Sequence, residues 1–312
     1  MAMYNANLAG GETEIKLNGK AITIDNLEMT ADIGSEFKNI EVSLGLPYDF
    51  YQGSAVVYNN EIHILGGYNA STNHYKFNGK SWVSVSTLPY GFIFGVAIVL
   101  NNEIHILGSN TNGCTQYHYK WNGSSWTSVS TLPYVFHGSG VVVLNGEIHI
   151  LGSRNGNYAT RHYKYNGSSW TSVSTLPYKF YSGSAVVYNN EIHILGGESY
   201  GTNTNHYKWD GSSWTSLGGT SYDFYYGSAV VYNNEIHILG SNETVFLTRH
   251  CKWNGSSWTD DSDLPYDFSC GSAVILNKNI YILGSNYPDY KRYWAKSQVT
   301  YSNANIISLE TA

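Results

Sequence analysis

The sequence predicts an all-β protein: a six-bladed β-propeller of four-stranded antiparallel blades, the last blade closed by an N-terminal strand. Three observations carry this expectation. First, one unit is repeated with a step of 44 residues, as Trp82, Trp126, Trp170, Trp214 and Trp258 show. A period of this size marks architectures in which each unit buries its apolar face only against its neighbours. Second, every unit reads as four short strands joined by tight turns, the pattern of radially repeated antiparallel sheets. Third, no segment has helical periodicity.

Taken in order, residues 1–37 lie outside the repeat. There Glu14–Leu17, Asn18-Gly19 and Lys20–Ile24 predict a β-hairpin, since Asn-Gly favours the turn that matches strand twist. A lone hairpin is marginal in water, so this segment is expected to pack on the propeller or to serve as an attachment arm. Residues 38–300 make the propeller and 301–312 a tail. Within a unit, Gly183–Tyr188 is small or β-branched throughout, as expected of an innermost strand covered on both faces. Asn189-Asn190 turns the chain. Glu191–Leu195 is the second strand and Gly196-Gly197 ends it. A variable loop leads to His206–Trp209, and Asp210-Gly211 leads to the fourth strand from Trp214. The inner-strand signature begins at Gly53, Gly95, Ser139, Gly183, Gly227 and Gly271, which gives six blades. The sixth has segments for three strands, Gly271–Leu276, Asn279–Leu283 and Tyr290–Lys296, and no following Gly-Ser-Ser-Trp. Ile40–Leu44 precedes Leu46-Pro47 much as Trp82–Val85 precedes Leu88-Pro89, so it is expected to supply the missing outer strand. Asn305–Leu309 is a competitor for the same edge.

Composition narrows the function. Charged residues make up 13% and the formal net charge is −6. Arginine occurs only at 154, 161, 249 and 292, so no basic run matches a nucleic-acid backbone. No stretch approaches about 18 continuous apolar residues, so membrane insertion is not expected. The N-terminus lacks a basic region followed by a long apolar run, which predicts synthesis in the cytoplasm without a classical signal peptide. Release as part of a virion or phage-like particle remains open. Cys114, Cys251 and Cys270 form no disulfide framework. The surface is instead rich in Tyr, Ser, Gly and Asn, the composition of adaptable recognition surfaces.

Gly66-Gly67 and Gly196-Gly197 after the second strand, with the spacings Tyr75 to Trp82 and Tyr119 to Trp126, resemble kelch repeats over residues 46 to about 296. Four copies carry Gly-Ser instead, and His63 stands where kelch repeats usually place Tyr. The resemblance implies a binding scaffold. The near-identical copies and the Lys- and Asn-rich, Arg-poor composition also resemble tail or fibre proteins of phages and phage-like particles.

Ten of the eleven histidines recur in register, at 63, 105, 149, 193 and 237 in the second strand and at 74, 118, 162, 206 and 250 in the third. A metal needs a converging set of about four ligands, whereas this pair recurs identically in five units. Stacking or hydrogen bonding across each blade is therefore expected, with no metal and no cofactor. A sialidase-like reading of Gly123–Trp126 fails for want of an arginine cluster. Asp49, Asp223 and Asp267 occupy equivalent places near the expected channel mouth; they keep a carbohydrate-active enzyme in play as an alternative, although turn chemistry explains them. Glu61 and its copies read as blade surface and Cys251 as core.

Variation between copies is confined to the loops joining strands two to three and strand four to the next blade. These emerge on one face, while the opposite face carries near-constant Asn-Asn and Asn-Gly turns. The expected ligand-binding residues on the variable face are Asp49, Tyr51, Phe94, His137, Lys179, Tyr181, Asp223, Tyr225, Tyr226 and Asp267. The reading is a non-catalytic propeller that binds a protein or cell-surface glycan as part of a phage-type tail or similar assembly. A cytosolic protein–protein adaptor is the second alternative.

Overall fold

Ser184–Tyr188 and its five counterparts, short runs of small and β-branched residues, form the innermost strand of each of six sheets. In the computed structural model, residues 15–17, 20–22, 35–69, 71–109, 115–197, 204–241, 247–286 and 293–299 are described. No helix occurs among them. Numbering blades from the inner strand, blade 1 comprises Ser54–Tyr58, Glu61–Leu65, Asn73–Phe77 and Trp82–Thr87 in spatial order. Blades 2 to 5 repeat this meander. Each begins with a two-residue hairpin. In blade 1, Tyr58 pairs with Glu61 across Asn59-Asn60, whose φ angles of 50° and 61° are those of the turn that suits twisted strands.

Side chains from neighbouring blades fill the space between sheets. Six hydrophobic clusters result, one per pair of neighbours. One of them joins Val274, Leu276 and Leu283 of blade 6 to Ile62 and Ile64 of blade 1, so the ring is complete. Each cluster holds one fully buried phenylalanine from the turn before an inner strand: Phe50, Phe92, Phe136, Phe180, Phe224 or Phe268. Burial of such a ring contributes about 2–3 kcal/mol. The glycine after the second strand exists because of it. Gly196 has φ +62°, and a Cβ there would overlap the carbonyl oxygen of Phe224 in the next blade. The same overlap recurs from Gly66 to Gly284.

The tyrosine of the Leu-Pro-Tyr turn ties two loops of one blade together. Tyr48, Tyr90, Tyr134 and Tyr178 donate to the carbonyls of Gly66, Gly108, Gly152 and Gly196 at 2.7–2.9 Å. The Asn-Gly-Ser-Ser turns are capped by their first residue: Asn122 Oδ1 accepts from the backbone N–H of Ser124 and Ser125.

The sixth sheet contains Ser272–Leu276, Asn279–Leu283, Tyr293–Val299 and, as its fourth member, Ser35–Leu44. Tyr293 pairs with Leu44 and Lys296 with Glu41. Past a register shift the ladder continues to Val299 opposite Ser35, which carries this strand five residues beyond the Ile40 start expected from sequence. The third strand likewise runs on to Val299; Tyr290 lies outside the described residues, as do Asn305–Leu309. Outside the propeller unit, Ile15–Leu17 and Lys20–Ile22 pair as an antiparallel hairpin with Ile15 opposite Ile22. Its expected turn, Asn18-Gly19, lies outside the described residues, and so do Cys114 and Arg292.

Candidate functional site

At the axis, one residue from each turn before an inner strand adopts the left-handed conformation: Gln52, Phe94, Gly138, Ser182, Tyr226 and Cys270, with φ of 53–58°. The conformation costs a non-glycine residue about 1 kcal/mol or more. It is held by a closed circuit of hydrogen bonds. Phe94 N–H donates to Gln52, Gly138 to Phe94, Ser182 to Gly138, Tyr226 to Ser182, Cys270 to Tyr226, and Gln52 back to Cys270, all at 2.6–2.8 Å. Every donor and acceptor of these six peptide groups is engaged. The cavity they frame measures about 140 Å³ and is walled mainly by glycine and serine. That is well below the roughly 300–1,000 Å³ of pockets that engulf a small molecule.

The loops that vary between copies do meet on this face. Tyr68 N–H donates to the Tyr51 carbonyl at 3.1 Å, Arg154 to His137 at 2.9 Å and Asn286 to Ser269 at 2.8 Å. Of the predicted residues, Phe94 and Tyr226 line the axial cavity. Phe94 stacks on His137 of the neighbouring turn, centroids 4.8 Å apart at 22°. Tyr226 packs against Tyr225 at 5.5 Å. Tyr51 is buried rather than displayed, and the ring stacked on it, Tyr68, is 55% exposed. Tyr181 is half-buried and Lys179 exposed. Residues 70, 110–114, 198–203, 242–246 and 287–292, which complete the variable loops, lie outside the described residues.

The carboxylates are not scattered. Asp223, Asp267 and Asp49 precede blades 5, 6 and 1, three neighbours in the ring, whereas Gly91, Val135 and Lys179 precede blades 2, 3 and 4. The face thus has an acidic arc and, across the axis, an arc with Lys179 and Arg154. Burial, with Arg154 adding to it, lowers the His137 imidazole to about 4, and burial raises the Cys270 thiol to about 11. At neutral pH the first is an uncharged, weak base and the second a thiol rather than a nucleophilic thiolate.

The paired histidines are body, not mouth. His63 Nδ1 lies 2.8 Å from His74 Nε2, and the pairs 105/118, 149/162, 193/206 and 237/250 repeat this at 2.8–2.9 Å. All ten are at most 5% exposed. Each third-strand ring of blades 1 to 4 also meets two aromatic rings of the next blade edge-on, as His74 meets Trp121 and Trp126. Desolvation lowers these imidazoles to about 3 or 4. The Glu copies each meet a Lys, as Glu191 meets Lys208 at 3.0 Å.

Sequence reasoning missed two things. The axial circuit leaves no side-chain signature, because its six members share only a backbone angle. In blade 5, moreover, Asp261 stands beside the His237–His250 pair, with one potential ligand atom of each residue within 4.8 Å of the others. The signal was an acid in a slot that holds Val85, Val129, Val173 or Leu217 elsewhere.

Comparison with known proteins bears on the architecture. No protein-family model and no curated protein matches the chain. Among solved structures it is similar to that of YjhT, with a TM-score of 0.69 and 16% identity over 82% of this chain and 96% of that one. Similarity of this kind extends to 381 solved chains, so it identifies the propeller and leaves the ligand open.

Proposed function

We propose that the protein is a non-catalytic, kelch-type binding propeller that recognises a protein or cell-surface glycan across its variable-loop face. The observation that carries this reading is the pairing of a small axial cavity, framed by a closed circuit of backbone hydrogen bonds, with exposed or half-buried aromatic rings around it. A ligand cannot be swallowed, so it must lie across the rim. Stacking surfaces such as Tyr68 and Phe94 suit the flat faces of sugars or the side chains of a protein partner. The acidic and basic arcs would orient it. Residues 1–37 are the proposed arm by which the propeller joins a larger, phage-tail-type assembly, and pairing of Ser35–Leu44 with the last blade is the proposed clasp of the ring.

The test is binding of the whole chain to arrayed glycans and to intact bacterial cells, with reducing-end release followed in parallel. The expected result is saturable binding without turnover. Tyr68→Ala is expected to weaken it at least about tenfold, the loss of one stacking contact of about 1.4 kcal/mol. Asn190→Gly, on the opposite face at a φ of 62°, should leave it unchanged. Release of reducing ends, or sensitivity to Asn190→Gly and not Tyr68→Ala, overturns the reading.

A further inference from the structure

We propose that His237, His250 and Asp261 form a binding site for a transition-metal dication of the zinc class, built into blade 5 alone. The repeat supplies the control. In blades 1 to 4 the residue three places after the outer-strand tryptophan is Val85, Val129, Val173 or Leu217, each packed against the core. Blade 5 puts a carboxylate there and leaves only 7% of its side chain exposed. Its Oδ1 accepts from the Ser262 N–H at 2.8 Å. Its Oδ2 is buried without a hydrogen bond, and the Lys252 ammonium stands 3.8 Å away. A buried carboxylate in this state is costly, and a cation is the direct remedy.

The donor set fits. Two imidazoles and one carboxylate, with a fourth position for water, make a common open zinc site. Nitrogen donors favour zinc and its neighbours over magnesium or calcium. Ligands at roughly 2.1 Å in a tetrahedron stand about 3.4 Å apart, so a set already within 4.8 Å closes by little more than a rotamer adjustment. The two rings lie 2.8 Å apart across a shared proton, which the ion would displace. Lys252 has a second partner in Glu235 at 3.5 Å and can turn to it. The wall opposite is also different: Ser297 of blade 6 stands where blade 2 has Trp121. The outer strand of blade 5, Trp258–Asp260, is only three residues long. An ion at Asp261 would staple its continuation to the two strands inside it.

The chain, freed of metal by chelation, is to be titrated with zinc chloride against a chromophoric chelator, and separately with cobalt chloride followed by visible absorption. The expected result is one tight equivalent per chain and the d–d bands of tetrahedral cobalt. Asp261→Val installs the residue that blades 1 to 3 carry, so it should fold with an unchanged or higher metal-free melting temperature. It should lose the tight equivalent, weakening it beyond the roughly 10–100-fold typical of outer-sphere changes. Asp261→Asn, which keeps the acceptor for Ser262, should behave alike. Absence of a tight equivalent in the unaltered chain, or its persistence in both variants, overturns the proposal.

Discussion

Blades 1 to 5 and blade 6 make the same shape with different chemistry. In the first five, strands two and three are locked by a buried His–His hydrogen bond. In the sixth, Tyr281 and Trp294 take those places and stack, centroids 5.8 Å apart at 20°. Trp294 then reaches Phe77 of blade 1 at 5.4 Å, much as His74 reaches Trp121 of blade 2 at 5.5 Å. Where rings make the inter-blade contact, it therefore takes flat rings of a certain bulk, not imidazole as such. What imidazole adds is a liability to protons.

The largest consequence is acid sensitivity. All ten rings sit at about 3 or 4 in the folded protein, against an ordinary 6.5, so unfolding takes up protons between these values. Because the folded value is the lower one, their contribution is complete above about pH 6.5 and shrinks as pH falls towards 4. Each ring changes stability by about 1.4 kcal/mol per pH unit in that window. The rings are hydrogen-bonded in pairs, so each pair takes up its protons as a unit; five pairs acting in one direction draw on the roughly 5–15 kcal/mol that holds a domain, which places acid unfolding within this window. Circular dichroism with potentiometric proton counting measures it; a ring still folded at pH 4 with no proton uptake would remove this account of the body.

The second difference is the provenance of the outer strand. Five blades build theirs from the next residues in the chain, and the sixth pairs Tyr293–Val299 with Ser35–Leu44. Removing residues 1–44 leaves an open edge. A loss of at least about 3 kcal/mol in denaturant unfolding is expected, in the range of broken buried networks. Unchanged stability would show that the inter-blade clusters alone hold the ring. The smallest difference is the Glu–Lys pair, present in blades 1 to 5, with Asn279 in the glutamate's place in blade 6. Lys208→Ala should cost under about 1 kcal/mol, since the pair is partly exposed to solvent; a larger effect in thermal melts would mark these pairs as more than surface.

The body was legible because its constraints fall on side chains at fixed spacing. The tryptophans, the Leu-Pro-Tyr turns and the alternating strands each report one packing requirement, and five or six copies repeat it. The histidine pairing was legible as structure, although its inter-blade half was not, since Trp121 and His74 are far apart in sequence. Legibility fails at the mouth. Gln52, Phe94, Gly138, Ser182, Tyr226 and Cys270 have nothing in common but φ, so a backbone circuit left no letter to read. Tyr51 looked like a displayed aromatic, whereas its ring is buried under Tyr68. Asp261 gains its meaning only when the fold sets it against two imidazoles from two separate strands.

The closed circuit of peptide groups at the axis has a consequence for how such a gene can change. Near-identical 44-residue units invite unequal recombination, which adds or drops whole copies. A linear array would absorb such an event. Here each unit hands its neighbour one N–H and receives one carbonyl, and the circle closes at six. A seventh copy would bring its own N–H and carbonyl, but it would have to reset the angle between every pair of neighbours, as would the loss of one. The loop sequences are free to diversify from copy to copy, but the number of copies is not.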